Sequence, residues 1–355
     1  MSDLGTPALL AIFVGAALAT WVAGVNLAKA TDLLDDRYGL GEALGGMILL
    51  SVAGSLPELA ITISAAVAGN LGMAAGNLIG GVAMQTFVLV IADRFVRGDR
   101  PLSTAAGSLV PALEGLLVIA VVCVTVMSAV LPSSASIGPL GMGAIGIVVI
   151  WVVGIVALNR TRARSDLTLV AAGGGAPPAA ATTAAEGPAA AGASSAGSGG
   201  GGRPILLFAG ASIVTLIAGV VLERTGNQLA TNWGMNGVIF GATFLAAATA
   251  LPEISTGITG VRLGRYTLVF GDMFGGNAFQ LTLFLVADLV AGQPVLPAEG
   301  KANAWIGCVG LLMTAVFVSG IVLRPQRRHL GLGLDSWIAL LIYALGIWGL
   351  VVVSG

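Results

Sequence analysis

The sequence predicts an all-α, polytopic membrane protein whose ten transmembrane helices form two inverted repeats of five helices each. Three observations carry this prediction: the composition, the distribution of basic residues among the loops, and an internal repeat. Only 9% of the 355 residues are charged and 56% are hydrophobic, whereas roughly a quarter of the residues in a soluble globular chain are charged. No basic patch is interleaved with aromatic residues, so nucleic acid is not an expected partner.

Ten apolar stretches are long enough to cross a bilayer, which takes roughly 20 residues of helix. They cover residues 7–29, 41–68, 71–93, 104–131, 136–158, 204–223, 235–261, 266–291, 302–323 and 334–354. The segment 159–203 is rich in Gly, Ala, Ser and Pro, a composition typical of flexible linkers. The chain is therefore expected to comprise a first repeat (1–158), this linker (159–203) and a second, inverted repeat (204–355).

Basic residues alternate between successive predicted loops. Of the 16 Lys and Arg residues, all but Arg224 and Lys301 fall in the odd-numbered loops, with the linker counted as the fifth loop. Because loops rich in Lys and Arg stay on the cytoplasmic side, we expect the linker to be cytoplasmic and both termini to lie outside. The expected location is the inner (plasma) membrane.

The second and seventh predicted spans align without a gap when the chain is displaced by 195 residues. The Leu-Pro-Glu sequence at 56–58 recurs at 251–253, and the glycine-rich stretch at 76–81 recurs at 271–276. Each unit contains an odd number of spans, so the two copies must cross the membrane in opposite directions. Inverted repeats with helices broken at corresponding positions are typical of secondary transporters, which bind substrate near the bilayer midplane.

Acidic residues lie well inside four predicted spans, whose interiors contain no Lys, Arg or His. These residues are Glu58, Glu114, Glu253 and Asp272. An ionised carboxylate in hydrocarbon costs on the order of 2.5–3.5 kcal/mol, so protons or bound cations must neutralise these groups. Both outcomes predict cation handling. Glu114 has no acidic counterpart in the second copy, which leaves two interpretations open: a proton-accessible side site or a protonated structural residue.

The remaining site residues follow from the same two motifs. Glu58 and Glu253 each follow a proline, which interrupts helical hydrogen bonding in mid-span. Asn77 and Asp272 lie in glycine-rich stretches that permit close helix contact. Two glutamates, an aspartate, an asparagine and backbone carbonyls would form an anionic, all-oxygen site, which suits Ca²⁺ or Na⁺ and not Zn²⁺ or Cu⁺.

At these motifs the chain resembles the calcium/cation antiporter superfamily, which includes the sodium/calcium exchangers. Each repeat of that superfamily carries a Gly-Thr-Ser-(Leu/Ala)-Pro-Glu stretch and a following Gly-(Asn/Asp)-x-x-Gly-Ser-Asn stretch. The resemblance implies a metal site made of both glutamates, the polar residues facing them and one hydroxyl before each Leu-Pro-Glu. The implied ligands are Glu58, Glu253, Asp272, Asn77, Ser55 and Thr249.

The chain departs from the pattern of this superfamily at several positions that usually carry hydroxyl groups. These departures are Gly54, Met73, Gly81, Ala250, Leu268 and Gly276. Side-chain oxygens that the resemblance implies for auxiliary Na⁺ sites are therefore absent. The central divalent site remains complete, while proton coupling competes with Na⁺ coupling.

The predicted function is secondary active antiport of Ca²⁺ for Na⁺ by alternating access. The apolar first and sixth spans would slide across a core formed by the second, third, seventh and eighth. The alternatives are a Ca²⁺/H⁺ or Na⁺/H⁺ exchanger, a cation channel, or a transport-inactive membrane sensor. Neither an enzyme nor a resident cofactor is expected, because the sequence lacks nucleophile–base, phosphate-loop and cofactor motifs. The expected partners are inorganic cations and the lipid bilayer, with a monomer as the functional unit.

Overall fold

The computed structural model describes residues 4–38, 51–172 and 203–354, which are almost entirely helical. The helices of the first half are α1 (Thr6–Tyr38), α2 (Leu56–Val67, preceded by helical residues 51–54), α3 (Leu71–Asp93), a short α4 (Leu102–Ala105), α5 (Val110–Ala129) and α6 (Met142–Ala172). Those of the second half are α7 (Arg203–Asn232), α8 (Gly237–Thr249, with a π-helical turn at Gly241–Leu245), α9 (Leu251–Arg262), α10 (Tyr266–Ala291, with a 3₁₀ turn at Leu281–Leu283), α11 (Gly300–Leu323) and α12 (Leu334–Ser354).

Eight helices within the described ranges are long and apolar enough to cross a membrane, and the bent pair α8 and α9 provides a ninth span. The predicted span 41–68 is described only from residue 51 onward, as residues 51–54 and α2, because 41–50 lie outside the described residues. The protein is therefore an all-helical, multi-pass membrane protein, as predicted. The count of ten spans stays a prediction.

Three helices extend beyond the spans that hydropathy predicts, and the first of them, α1, continues to Tyr38, past the predicted end at residue 29. Helix α6 continues to Ala172, so residues 159–172, which were predicted to belong to the linker, are helical. The rest of the predicted linker, 173–202, lies outside the described residues. Helix α7 continues to Asn232, beyond the predicted end at residue 223. Charged residues alone do not end a helix, because long basic side chains reach the membrane surface while their backbone remains helical.

The predicted span 136–158 begins later than expected because its first residues form a β-hairpin. Strands β1 (Ser136–Ile137) and β2 (Leu140–Gly141) pair antiparallel before α6, and strands β3 (Arg328–His329) and β4 (Leu332–Gly333) do so before α12. The turn of the first hairpin contains Gly138, whose φ of 61° favours glycine. A hairpin thus precedes the last helix of each half.

Two repeat-related aspartates, Asp93 and Asp288, anchor these hairpins. The carboxylate of Asp93 accepts a hydrogen bond from the backbone N–H of Gly333 in β4, and that of Asp288 accepts one from Gly141 in β2. Each carboxylate also accepts an N–H from the loop that follows its own helix. Within the described ranges, the donors are Leu102 N, Gly333 N and Ser336 Oγ for Asp93, and Gly141 N and Val295 N for Asp288, at 2.6–2.9 Å.

Contacts between loops show which of them lie on the same face of the molecule. Arg328, before α12, donates to the carbonyl oxygens of Val96 and Gly98 after α3. The guanidinium of Arg262, at the end of α9, lies 5.2 Å from the ring centroid of Phe95 in the same loop. The third, seventh and ninth predicted loops therefore share one face, which we call the odd-loop face. The basic residues predict that this face is cytoplasmic.

Glycines bring α3 into backbone contact with α8. A Cβ on Gly76 would lie 2.5 Å from the carbonyl oxygen of Val238, and a Cβ on Gly80 would overlap the backbone of Ala242. The expectation that the stretch 76–81 permits close helix contact is therefore confirmed. This contact holds Asn77 against the first half of the broken seventh span.

Helices α1 and α7 pack side by side and contact the site helices α9 and α2. Two glycines that are repeat equivalents make the closest approaches. A Cβ on Gly24 of α1 would lie 2.6 Å from Cγ of Pro252, and a Cβ on Gly219 of α7 would lie 3.0 Å from the carbonyl oxygen of Pro57. Each of these two helices thus packs against the proline of the opposite repeat.

Candidate cation site

Both Leu-Pro-Glu sequences begin a new helix after a break in the middle of a span. Ser55 (φ −91°, ψ 10°) precedes α2, and Ala250 (φ −78°, ψ −1°) separates α8 from α9, which are bent by 47°. Glu58 and Glu253 consequently lie in the first turns of α2 and α9. The amino-terminal end of a helix carries partial positive charge, which stabilises a carboxylate placed there.

The break brings the carboxylates of the two repeats together. Glu253 lies close enough to both Glu58 and Asp272 for the negative charges to repel. The hydroxyl of Thr249, the last residue of α8, lies beside the carboxyl group of Glu58. It also donates a hydrogen bond of 3.2 Å to the carbonyl oxygen of Ala246. Glu253 therefore has an acid on either side, and one of the two predicted hydroxyl ligands lies beside Glu58, although no three acidic, His or Cys side chains in the described ranges are close enough to share one metal ion. We call this group of residues the cluster.

The polar residues facing the glutamates complete this cluster. Asp272 accepts a hydrogen bond of 3.3 Å from the hydroxyl of Thr256, which also lies 3.2 Å from the carbonyl oxygen of Glu253. Asn77 is fully buried, and neither atom of its amide has a hydrogen-bond partner among the described residues. Ser55 is buried at the break before α2, where its side chain makes no capping hydrogen bond.

Several buried oxygens of the cluster lack a hydrogen-bond partner in the described part of the chain. The oxygens without a partner are both carboxylate oxygens of Glu58, Oε2 of Glu253 and the side-chain oxygen of Asn77. Buried polar groups are normally paired, because leaving one unpaired costs several kcal/mol. Oxygen donors with excess negative charge fit a hard cation or protons.

Among the described residues, the acids of the second repeat are more accessible than Glu58. An open cleft with a cavity volume of about 60 Å³ reaches Glu253 and Asp272, both of which are partly exposed, whereas Glu58 and Asn77 are completely buried. The cleft runs between α1 and the α9–α10 pair, toward the loop that joins those two helices and thus toward the odd-loop face. Its lining includes Gly24, Ala28, Gly54, Thr256, Gly260 and Leu268.

Glu114 of α5 is buried against the helix that carries Asp272. A Cβ on Gly271, the residue before Asp272, would lie 3.5 Å from Oε2 of Glu114. The side chain thus adjoins the cluster from the outer side of α10. Both interpretations made from the sequence, a proton-accessible side site and a structural residue, are compatible with this placement.

The sequence motifs did not identify two hydroxyl groups that lie near the glutamates. Thr62 is fully buried and its Oγ1 has no hydrogen-bond partner in the described ranges, while Thr256 donates to Asp272. Thr62 lies four residues after Glu58, and Thr256 lies three residues after Glu253. Residues three or four apart share one face of a helix, so this spacing could have identified both.

The structure explains why Gly81 and Gly276 replace the expected serines. A Cβ on Gly81 would overlap Nε2 of Gln280, and a Cβ on Gly276 would lie 3.3 Å from Oε1 of Gln85. The two glutamines hydrogen-bond to each other, from Gln85 Nε2 to Gln280 Oε1, at 2.9 Å. Each glycine therefore makes room for the glutamine of the opposite repeat. The two glutamines thereby join the third and eighth predicted spans.

A cluster of carboxylates between two inverted, proline-broken helices defines a polytopic cation exchanger. The chain belongs to the family described as sodium/calcium exchanger protein, whose model matches residues 8–159 and 203–352. The match covers both halves of the chain and omits the central segment. The expected membership of the calcium/cation antiporters is thereby confirmed.

Individual relatives agree with this assignment. The chain is 24% identical over 293 residues to the inner membrane protein YrbG of Escherichia coli (strain K12), covering 82% of this chain and 80% of the relative. It is 26% identical over 124 residues to the putative antiporter CaxA of Alkalimonas amylolytica, covering 32% of this chain and 38% of that protein.

Solved structures share the fold at low sequence identity. The H⁺/Ca²⁺ exchanger CAX superposes with a TM-score of 0.60 at 13% identity, covering 98% of this chain and 88% of its own. YfkE gives 0.57 at 14% identity with coverage of 95% and 91%. The sodium–calcium exchanger NCX_Mj gives 0.55 at 14% identity with coverage of 97% of each chain.

Proposed function

We propose that this protein is a secondary active antiporter that binds Ca²⁺ between Glu58 and Glu253 and exchanges it for a monovalent cation. The observation that carries this proposal is the proximity of Glu253 of α9 to both Glu58 of α2 and Asp272 of α10, within predicted spans whose interiors contain no Lys, Arg or His. Asn77 and Asp272 complete the ligand set, with hydroxyls from Thr249 and Ser55. The ions are substrates, and the proposal requires no resident cofactor.

Alternating access follows from the electrostatics of the site. A vacant site holds unneutralised carboxylates, and moving them through a low-dielectric environment is costly. An occupied site carries less net charge and reorients more easily. Because the vacant site reorients at a higher free-energy cost than the occupied one, transport of one ion is coupled to return of another and leak is suppressed. The moving elements would be α1 and α7, which contact the core through the small residues Gly24 and Gly219.

The resemblance to sodium/calcium exchangers favours Na⁺ as the counter-ion. A second candidate, Ca²⁺/H⁺ exchange, is favoured by the residues that flank the acids. Met73 is buried and apolar, and the space beside Gly81 is filled by the amide nitrogen Nε2 of Gln280, a hydrogen-bond donor that cannot bind a cation. A bound Na⁺ would need oxygen ligands at these positions, whereas protons would need only the carboxylates. Two of the proteins that share this fold are an H⁺/Ca²⁺ exchanger, CAX, and a Ca²⁺/H⁺ antiporter, YfkE.

The relative named as an inner membrane protein supports placement in the inner membrane. The distribution of Lys and Arg supports a cytoplasmic odd-loop face, with both termini outside. Under this orientation the cleft beside Glu253 opens to the cytoplasm. Because both repeats contribute acids to one cluster within a single chain, we propose that the monomer is the functional unit.

Counter-ion dependence of Ca²⁺ flux tests the proposal. The purified full chain in sealed proteoliposomes would be given ⁴⁵Ca²⁺ with an outward Na⁺ gradient at clamped pH, or with a pH gradient and no Na⁺. Uptake driven by one gradient identifies the coupling ion. Gradient-independent uptake with single-channel currents would indicate a channel. Failure of the folded protein to bind or move Ca²⁺, Na⁺ or H⁺ would indicate a transport-inactive sensor and overturn the proposal.

A further inference from the structure

The two inverted halves differ in how they cover the path to the acids. On the odd-loop side an open cleft passes Ala28 of α1 and Thr256 of α9. The repeat equivalents of these residues, displaced by 195 positions, are Glu223 of α7 and Ile61 of α2. Both are buried, with 1% and 0% of their surface exposed. The equivalent path on the opposite face is therefore closed.

Glu223 makes this closed half different in chemistry as well as in shape. Its Oε2 accepts a hydrogen bond of 2.7 Å from the hydroxyl of Ser64, near the end of α2. Its Oε1 accepts one of 3.0 Å from the side-chain amide of Asn70, in the turn between α2 and α3. One carboxylate of α7 thus binds both the end of α2 and the turn that leads into α3.

The position of this contact places it between the acids and the surface. Ser64 follows Glu58 by six residues, which is about 9 Å along a helix. One turn before Glu223, Gly219 packs directly on Ala60 and on the carbonyl oxygen of Pro57. Helix α7 therefore covers α2 continuously from the proline to the loop. The hydrogen bonds of Glu223 lie at the end of this α7–α2 contact that is farther from the acids.

The residue that corresponds to Glu223 in the other half cannot accept these hydrogen bonds. Ala28 occupies the place of Glu223, and the equivalents of Ser64 and Asn70 are Thr259 and Arg265. Ala28 has no polar group with which to hold α1 against α9. Opening of the path on the opposite face must therefore break both hydrogen bonds of Glu223, whereas the residue in its place on α1 holds no such bond.

We propose that Glu223 is a one-sided gate residue, which holds α7 against Ser64 and Asn70 and keeps the path to Glu58 closed on the face opposite the odd-loop face. The inference rests on the alternating-access function proposed above. In each transport cycle both hydrogen bonds must break so that α7 can move away from α2. Glu223 therefore acts through the position of α7 and is not itself a ligand of the transported ion.

Sided cysteine labelling tests this assignment in the full chain in membrane vesicles. The native Cys123 and Cys308 are first replaced by Ala. Ile61→Cys then reports the closed half, and Ala28→Cys reports the open half, each with a membrane-impermeant thiol reagent applied to one face at a time. Glu223→Ala should raise labelling of Ile61→Cys by at least about tenfold, the change that one lost hydrogen bond to a charged group produces in an equilibrium. Labelling of Ala28→Cys should fall.

Several variants separate gating from general loosening of the fold. Ser64→Ala and Asn70→Ala each remove one partner and should shift labelling in the same direction, by less. Glu223→Gln retains the shape and can still accept from Asn70, so it should give an intermediate shift. Gln228→Ala, on the same helix, serves as the matched control and should leave both reactivities unchanged.

The result that overturns the assignment is unchanged labelling of Ile61→Cys in Glu223→Ala and in the Ser64→Ala/Asn70→Ala double variant. Equal increases at both reporters would also overturn it, since they would indicate loss of packing and not a shift between faces. Ca²⁺ flux of the parent protein is measured in the same vesicles. Absent flux would refute the proposed function, whereas normal flux with unchanged labelling would refute only the gate.

Discussion

Gln85 donates a hydrogen bond of 2.9 Å to Gln280, the residue that occupies the same position in the second repeat. A direct contact between equivalent residues occurs only where the pseudo-two-fold axis relating the repeats passes between them. The pair is not symmetric in its other contacts, because Gln280 Nε2 also donates to the carbonyl oxygen of Leu78 at 2.7 Å. The axis of the protein therefore runs through a pair of amides in the buried core.

The packing of these amides predicts a steric effect at one glycine. Gly81→Ala should lower the free energy of unfolding by about 1–3 kcal/mol, as overpacking of a core does, because its Cβ would overlap Gln280 Nε2. Gly276→Ala should cost less, since its nearest neighbour would lie at 3.3 Å. Thermal unfolding in detergent measures both changes.

The control for this pair is Gly15→Ala in α1, where a Cβ would meet nothing within 4 Å. It should be neutral or slightly stabilising. Gln280→Ala introduced into Gly81→Ala should recover part of the lost stability. An equal melting temperature for Gly81→Ala and the parent chain would contradict the packing described here.

The carboxylates of the cluster predict loss of transport without loss of fold. Glu58→Gln and Glu253→Gln should each reduce Ca²⁺ flux by more than about 100-fold, since changes to the outer shell of a metal site alone cost 10–100-fold. The measurement is ⁴⁵Ca²⁺ exchange in proteoliposomes, normalised to the amount of folded protein. Asp99→Asn, an exposed acid in a loop, is the control. Normal exchange in both glutamine variants would be incompatible with the proposed site.

The hydrogen bond from Thr256 to Asp272 predicts a graded effect on affinity. Thr256→Val removes the hydroxyl while keeping the shape of the side chain, and it should weaken Ca²⁺ binding by about tenfold. Isothermal titration of the detergent-solubilised protein measures this change. Thr259→Val, one turn nearer to the loop and exposed, should bind Ca²⁺ normally. If both variants bound Ca²⁺ equally well, Thr256 would have no role in orienting Asp272.

The anchoring of the second hairpin predicts a structural role for an acid outside the cluster. Asp93→Asn places an amide group against backbone N–H donors, and it should lower the free energy of unfolding by about 1.5–3 kcal/mol, the value of a hydrogen bond to a charged group. Ser336→Ala removes one of the donors and should cost about 1 kcal/mol.

Unfolding measurements and flux assays together distinguish this role from participation in transport. Ca²⁺ flux per folded molecule should change little in Asp93→Asn. Full stability combined with lost flux would show that Asp93 belongs to the ion pathway and not to the anchor of the hairpin.

Much of the candidate site could be predicted from the sequence because the cost of burying a charge in the membrane applies to each acidic residue separately. A carboxylate in a hydrophobic stretch is improbable unless a cation or proton neutralises it, so Glu58, Glu253 and Asp272 could be identified without coordinates. The displacement of 195 residues, together with the odd number of spans, indicated the inverted relationship. Hydropathy likewise indicated the spans, but it could not distinguish the hairpin at 136–141 from the start of a helix.

Tertiary structure decided what depends on the distance between segments. Gly81 was interpreted as a lost hydroxyl, and only the packing of Gln280 against it shows that a side chain from the other repeat fills the space. Glu223 was interpreted as the end of a span, and only the fold brings it to Ser64, 159 residues earlier in the chain. Charge and hydrophobicity act on each residue wherever it lies, and are therefore readable along the sequence. Steric fit and the pairing of buried polar groups exist only between neighbours in space, which the folded chain alone determines.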